Sequence, residues 1–427
     1  MKDIKIKISA VILCFCCFFI FPTGFAQNEG LETAFDLPQP LSVDISLECT
    51  MARRMSVREF TDEDISLDEL STILWSAYGY REDKTQTVPG INGEHAAVIY
   101  VFTDEFVYFY DAYNHSLDLY MTGDYRDQIA QYQAPIQLGI MWNPLSFDDE
   151  NLSAAEIGQI GQNIQFMAVA LDLGTVVTAE RPSPLDDVGL PSHLVGRIVM
   201  PLGHPEYPYD FVYRPLWFSL LPKIQSSSKN VTTLLQTFEE SSDGSEALTR
   251  QQQSNLLWST YGYSPLLDNS DAEQNPLKRH RTVPSAHGYY PLRFYIVTQK
   301  GIFRYIPGFL DYDKWGVPVI TFLLKIRWGD HRQDVADASD NSVASAPFII
   351  ISVLDIQKTI QWDDLSSLTL RWVWFYEAGA STQNVLLEAT ALDCTSKIST
   401  IDTPQAILDL LRLSDQYQPL LIQSVGS

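Results

Sequence analysis

Arg54, Ser56 and Arg58 alternate along a short segment near the start of the chain. Two guanidiniums and a hydroxyl at that spacing can converge on one point, and arginine forms forked, charge-assisted hydrogen bonds to phosphate oxygens. A phosphate clamp fits these residues; a solvated basic turn paired with Glu59 or Asp62 fits them too. Gln162-Asn163 and Gln383-Asn384 are polar pairs inside otherwise apolar helical patterns. A buried amide without partners costs about 1–3 kcal/mol, so each pair requires either hydrogen bonds between helices or contacts to a bound molecule. The histidines are scattered, and no spacing among them predicts a metal site. The sequence contains no Gly-x-Ser-x-Gly elbow, Cys–His arrangement or phosphate-binding P-loop.

The elements that position these residues occur twice. Leu74-Trp75-Ser76-Ala77-Tyr78-Gly79-Tyr80 returns as Leu257-Trp258-Ser259-Thr260-Tyr261-Gly262-Tyr263, with one change. Thr87-Val88-Pro89 returns as Thr282-Val283-Pro284, and the apolar runs that follow share Tyr100 and Tyr295. Ala134-Pro135 is echoed by Ala346-Pro347, and Glu156, Gly158 and Gln162-Asn163 by Glu377, Gly379 and Gln383-Asn384. Landmarks that recur in one order identify two diverged copies of a single domain.

Within the first copy, helical spacing is predicted over 45–54 and again after Ser66, which forms a capping box with Glu69. Alternating apolar residues predict strands at 96–103 and 106–111, turning at Asp104-Glu105. The runs 136–141 and 198–203 read as further strands, and 153–173 as a long buried helix closed by Gly174. Hairpins mixed with helices give an α+β class, here two domains, each a mixed central sheet flanked by helices. The predicted organisation is a signal peptide over 1–26, copy one over 27–222, a linker over 223–245 and copy two over 246–427. Part of the linker, 231–238, has helical character. Copy two has a longer loop between Tyr263 and Thr282, and lacks the tail that copy one continues through Arg214.

The composition agrees with two globular domains. Of 427 residues, 45% are hydrophobic and 19% charged, enough apolar material for a sizeable core. A formal net charge of −24 argues against nucleic-acid partners. Lys2, Lys5 and Lys7, an apolar stretch and Gly24-Phe25-Ala26 predict an exported protein with no membrane span after cleavage; a retained anchor is the alternative. Cys49 and Cys394 remain after the signal, and either pair across the copies or stay as free thiols.

Arg-x-Ser-x-Arg before a helix, Leu-Trp-x-x-Tyr-Gly, and Arg281-Thr-Val-Pro-Ser-Ala-His-Gly-Tyr-Tyr-Pro-Leu-Arg-Phe-Tyr together resemble the nitroreductase superfamily. Among its branches the chain looks most similar to the SagB-type dehydrogenases. The Glu-x-Gly-x-x-x-Gln-Asn helix and the turn Pro201-Leu202-Gly203-His204-Pro205 fit the same pattern, over roughly 45–220 and 246–427. The resemblance implies an FMN enzyme built as an intimate dimer with flavin in the interface, here fused into a pseudo-dimer that is a monomer in solution. One subunit of the family supplies the phosphate clamp and a late basic residue, matching Arg54, Ser56, Arg58 and Arg214. The partner supplies a loop against the flavin ring, matching Pro284, Ser285 and Ala286; Asn163 is the candidate contact from the polar pairs. His287 stands where the family usually has glycine.

The reciprocal site looks decayed. The stretch before Leu256, from Ser245 to Gln253, contains no Arg-x-Ser-x-Arg, and Pro89-Gly90-Ile91 lacks the loop serine. The resemblance therefore implies one FMN per chain, moving two electrons to or from a small organic partner, with no side chain identified as a catalytic acid or base. The alternative is a degenerate, flavin-free domain pair acting as a binding or structural module.

Overall fold

A computed structural model describes residues 34–207, 210–212, 217–241, 244–268, 277–308, 319–359 and 371–427. The predicted signal at 1–26 and Arg214 lie outside the described residues.

The first copy opens with β1 (Ala34–Asp36) and helix α1 (Leu47–Arg53). Ser46 caps α1 by accepting the Cys49 N–H at 3.2 Å. The Ser66–Glu69 capping box forms as the sequence predicts: Oγ accepts from Glu69 N at 3.2 Å, and the Glu69 carboxylate accepts from Ser66 N at 2.8 Å. It starts α2 (Leu67–Tyr78). The predicted hairpin is β2 (Ala97–Phe102) with β3 (Phe106–Asp111), followed by β4 (Ser116–Thr122) and β5 (Ile136–Trp142). The sequence reading missed β4 because much of it is solvent-facing and carries no apolar run.

Helix α3 (Glu150–Ala170) begins at Asp149, whose carboxylate accepts the N–H groups of Asn151 and Leu152. It is closed at Leu171, with Asp172 left-handed at φ 55. Gly174, predicted as the helix stop, instead opens β6 (Gly174–Thr175), where a Cβ would stand 2.6 Å from the Val57 side chain. The copy closes with β7 (Val195–Gly203) and continues into two short strands, β8 (Asp210–Val212) and β9 (Trp217–Ser219).

The second half contains α4 (Val231–Thr237), α5 (Arg250–Tyr261), β10 (Tyr263–Asp268), β11 (Leu277–Arg281), β12 (Leu292–Thr298), β13 (Gly301–Ile306), β14 (Val319–Trp328) and β15 (Phe348–Asp355). After these come α6 (Arg371–Ala391), β16 (Thr395–Ser399) and β17 (Tyr417–Gly426). The two large sheets run β1-β4-β3-β2-β5-β7-β6 and β9-β14-β13-β12-β15-β17-β16, so the copies match strand for strand. The class is α+β, as the sequence indicates. Copy one's sheet is wholly antiparallel; the predicted mixed character enters only in the second, where β9 pairs parallel with β14. Because β9 follows copy one, the second sheet is completed by a strand from the first copy. A third sheet, β11-β10-β8, joins them again.

The two long helices cross at their glycines. A Cβ on Gly379 would lie 1.9 Å from the Ala155 carbonyl oxygen, and one on Gly158 would lie 2.0 Å from that of Tyr376. Only hydrogen at these positions lets α3 and α6 approach backbone to backbone. The polar pairs bridge this same interface. Asn163 Nδ2 donates to Ser76 O and Thr87 O at 2.9 and 3.1 Å, and Asn384 Nδ2 to Ser259 O and Thr282 O at 2.8 and 3.1 Å. The glutamines reach across: Gln162 Nε2 donates to Thr282 O at 2.9 Å, and Gln383 Nε2 to Asn163 Oδ1 at 3.0 Å. The amide nitrogens are thus taken up by backbone carbonyls and by one bond between the long helices, while the side-chain oxygens of Gln162, Gln383 and Asn384 have no partner among the described residues. Cys49 is exposed and Cys394 buried, and both are free thiols.

Candidate functional site between the two copies

Arg54 is the C-cap of α1, and from it the chain runs extended. Val57 N donates to Thr175 O at 3.0 Å, which pins this segment alongside β6, and the bare Cα of Gly174 makes room for Val57. Extended backbone alternates its side chains, so Arg54, Ser56 and Arg58 turn away from Val57. All three line a cavity of about 720 Å³ between the copies, a size in the range of ligand pockets. Its opposite wall comes from copy two and includes Pro284, Ser285 and Ala286. The structure thus brings six of the eight sequence-predicted site residues to one cavity. Asn163 stands apart, its amide taken up at the helix interface, and Arg214 lies outside the described residues.

The clamp residues also hold one another and the protein. Arg54 is 1% exposed; its Nη1 donates to Gln165 Oε1 at 2.7 Å and its Nε to the Arg281 carbonyl at 3.0 Å. Arg58 Nη1 donates to Ser56 O at 3.2 Å, and its guanidinium lies 5.8 Å from the Tyr132 ring centroid.

On the copy-two wall, the loop after Pro284 is bent by left-handed residues: His287 at φ 51, Gly288 at φ 71 and Tyr290 at φ 50. His287 thus adopts the backbone conformation that glycine takes freely, at a cost of roughly 1–3 kcal/mol for a side-chain-bearing residue. Strain of this kind persists where surrounding contacts over-determine it, and here Ser285 Oγ accepts from Tyr290 N at 2.9 Å across the loop.

Sequence reasoning did not single out three residues of this wall as site residues. Arg281 is buried, donates to Tyr263 Oη at 2.8 Å and Tyr261 O at 3.1 Å, and lies 4.1 and 4.6 Å from the ring centroids of Tyr263 and Tyr290. Glu377 accepts from Ser285 Oγ at 2.5 Å and from the Tyr261 hydroxyl. Burial pushes the Glu377 carboxyl up to about 7, against the lowering effect of its two hydroxyl donors and of Arg281 and Lys358. Trp372 supplies a buried indole N–H without a hydrogen-bond partner among the described residues. Glu377 lies inside a repeated landmark and Arg281 directly precedes one, but nothing local in the sequence placed them beside each other.

Among the described residues Arg54, Arg58 and Arg281 face two carboxylates, Glu180 and Glu377, which makes the cavity a basic enclave in an acidic chain. That charge, the hydroxyl of Ser56 and the unsatisfied Trp372 N–H suit a polar, phosphorylated ligand. Among the described residues, no group of histidine, cysteine, aspartate and glutamate could hold a metal ion.

The reciprocal location is built differently. Asn230 caps α4 by accepting from Thr233 N at 2.8 Å, as Ser46 caps α1, and the two cap residues form a bridge. Ser241 N donates to Ser396 O at 2.9 Å as Val57 N does to Thr175 O. The structural counterpart of Arg54-Met55-Ser56-Val57 is therefore Phe238-Glu239-Glu240-Ser241, inside the predicted linker and upstream of the stretch near Arg250 where the sequence reading sought it. Phe238 is buried beneath the Arg81 guanidinium, 4.2 Å from its ring centroid. Glu240 accepts from Ile398 N at 2.8 Å, and Ile91, the counterpart of Ala286 in the repeat, is buried.

Comparison with known proteins follows the same division. The family model described as "Nitroreductase family" matches residues 51–188 and again 244–427. A protein of Methanocaldococcus jannaschii that carries a nitroreductase name is 31% identical over 154 residues, which are 31% of this chain and 78% of that protein. Among solved structures, one from Anabaena variabilis that also carries a nitroreductase name superposes with a TM-score of 0.63 at 13% identity. The match covers 91% of this chain and 94% of that one, a likeness of fold across both copies.

Proposed function

The chain belongs to the nitroreductase family, whose members are oxidoreductases that generally bind flavin, and from that premise we propose an FMN-dependent oxidoreductase with one composite site between its two copies. The observation that carries the reading is the single cavity in which the copy-one residues Arg54, Ser56 and Arg58 face the copy-two residues Pro284, Ser285 and Ala286.

In this reading Arg58 and Ser56 hold the phosphate, helped by the charge of Arg54. The ring rests against the loop Pro284-Ser285-Ala286, and the late basic residue Arg214 belongs to the same phosphate set. When bound, the flavin supplies two-electron transfer; the protein positions it and tunes it by charge and hydrogen bonding. Arg281 adds a fixed positive charge held against Tyr263 and Tyr290, which favours electron-rich or anionic partners on that side of the cavity. The partner is a small organic electron donor or acceptor. Among the described residues no helix is long and apolar enough to cross a membrane.

The test is flavin uptake. Purified protein incubated with FMN and passed over a desalting column should carry flavin absorbance and release it on denaturation. Colourless protein under those conditions favours the flavin-free alternative, in which Arg54 serves to bond Gln165 and the Arg281 carbonyl and Ser285 to bond Glu377 and Tyr290.

A further inference from the structure

The two copies contain the same buried glutamate with different company. In copy one, Glu156 accepts four hydrogen bonds: from Tyr78 Oη at 2.9 Å, Ala96 N at 2.8 Å, Ala97 N at 3.1 Å and His95 Nδ1 at 2.8 Å. Backbone amides are fixed donors, so that carboxylate is a structural anchor for the start of β2. In copy two the equivalent Glu377 is equally buried, but among the described residues its hydrogen-bond donors are two hydroxyls, Tyr261 Oη and Ser285 Oγ, and it lines the cavity. Pro291, which has no N–H, stands where copy one has Ala96. A hydroxyl, unlike an amide, can reverse its hydrogen bond.

That reversal has a defined consequence at Ser285. Its oxygen already accepts from Tyr290 N at 2.9 Å. With Glu377 ionised, the single Ser285 proton is committed to the carboxylate and the cavity meets an acceptor. With Glu377 protonated, the carboxyl can donate to Ser285, and the Ser285 O–H is released toward the cavity. The elevation of the Glu377 carboxyl to about 7 means that both states are populated near neutral pH. The charged groups that bear on it are Arg281 and Lys358, with Tyr261 as its second hydroxyl neighbour. Arg54, Arg58, Glu180, His280 and His287 line the rest of the cavity.

We infer that Glu377 is the proton reservoir of this site and that Ser285 passes its proton to an acceptor reduced there, an inference that rests on the proposed flavin function. Bound and reduced flavin would supply two electrons and one proton together as hydride, and a quinone or other carbonyl-type acceptor would then need one more proton on oxygen. Ser285 donates its hydroxyl proton to that oxygen and takes the proton of Glu377. The Ser285 and Glu377 O–H bonds break, the acceptor O–H and a new Ser285 O–H form, and Glu377 is left as carboxylate for solvent to reprotonate. Ser285 is the residue that touches the acceptor; Glu377 acts through it as a positioning and proton-holding residue.

The experiment uses the full chain loaded with FMN, reduced anaerobically and mixed with 1,4-naphthoquinone across pH 5.5 to 8.5. In the wild type the reoxidation rate should fall as pH rises through about 7, as Glu377 loses its proton. Glu377→Gln and Ser285→Ala should each bind one equivalent of FMN, lose that pH dependence and slow the step at pH 6 by about 10²-fold. Ser285→Thr, which keeps the hydroxyl, should restore the profile. A second readout needs neither flavin nor turnover: a protonated-carboxyl infrared band that titrates near pH 7 in the flavin-free wild type should be missing from Glu377→Gln. An unchanged pH profile in both FMN-loaded variants, or an unchanged infrared band in Glu377→Gln, overturns the relay and leaves the flavin reading intact. Failure of the wild type to bind FMN overturns the proposed function, and the relay with it. Should Glu377→Gln not fold, Ser285→Ala carries the kinetic test, since it leaves the buried carboxyl in place.

Discussion

Arg54 donates from Nη1 to the Oε1 of Gln165 at 2.7 Å, and both side chains are buried. The first arginine of the clamp is therefore also a strut between the end of α1 and the long helix α3. With its Nε on the Arg281 carbonyl it ties the two copies together at the cavity floor.

This separates the roles of the two arginines. Arg58→Ala should weaken FMN binding about tenfold or more, the worth of one charge-assisted hydrogen bond at roughly 1.5–3 kcal/mol, with little change in melting temperature. Arg54→Ala should lower both affinity and stability, because it leaves Gln165 and a carbonyl unsatisfied in the core. Arg250→Ala, on the exposed start of α5 where Arg250 donates to the Leu220 carbonyl, should change neither strongly. Flavin fluorescence titration beside thermal unfolding reads both quantities, and equal behaviour of all three variants would remove the phosphate assignment.

The glycine crossing is a stability determinant that involves no ligand. Gly379→Ala places a Cβ about 1.9 Å from the Ala155 carbonyl, where backbone on both sides must move. Overpacking of this kind costs about 1–3 kcal/mol or more. Urea unfolding should show the midpoint drop; a variant as stable as the wild type would mean that the two helices are free to separate.

Glu388 makes stability depend on pH. Burial first, and then the nearby charge of Glu48, raise its carboxyl to about 8 against the opposing hydrogen bond from Asn255. An unfolded glutamate titrates near 4.3. The folded protein thus binds this proton more tightly, so the contribution is complete below about pH 4 and is lost as pH rises through about 8. Glu377 acts in the same direction up to about 7. The free energy of unfolding should decline from pH 5 to pH 8, and Glu388→Gln should flatten part of that decline. Parallel curves for the two proteins in urea titrations across this range would rule the assignment out.

Stoichiometry tests the asymmetry of the two copies. Titration with FMN should saturate at one equivalent per chain, since the reciprocal segment offers Glu239 and Glu240 where copy one offers Met55 and Ser56. Ala286→Trp should block uptake by filling the cavity. Glu94→Trp, on the exposed part of the copy-one loop, should not; Ile91 is unsuitable as the control because it is buried. Saturation at two equivalents would show that the reciprocal location also binds flavin.

Much of the molecule was legible from the sequence because its signals are local or repeated. The Ser66–Glu69 box, the 96–111 hairpin and the polar pairs are short-range patterns of period and capping, which act before any tertiary contact forms. The duplicated landmarks fixed the order of elements in both halves, and with it the α+β class. Partners across the chain were a different matter. The copy-two counterpart of the clamp is defined by the Asn230 cap and the Ser241–Ser396 hydrogen bond, and its residues have diverged so far that no motif marks it. Likewise β9 joins the second sheet, Ser285 meets Glu377 across 92 residues of chain, and Gln383 finds Asn163 where α3 and α6 cross at bare glycines. Periodicity along a chain specifies which face of an element is buried, and it leaves open what packs against that face. Which residues came to share the cavity was decided by the packing of the two copies.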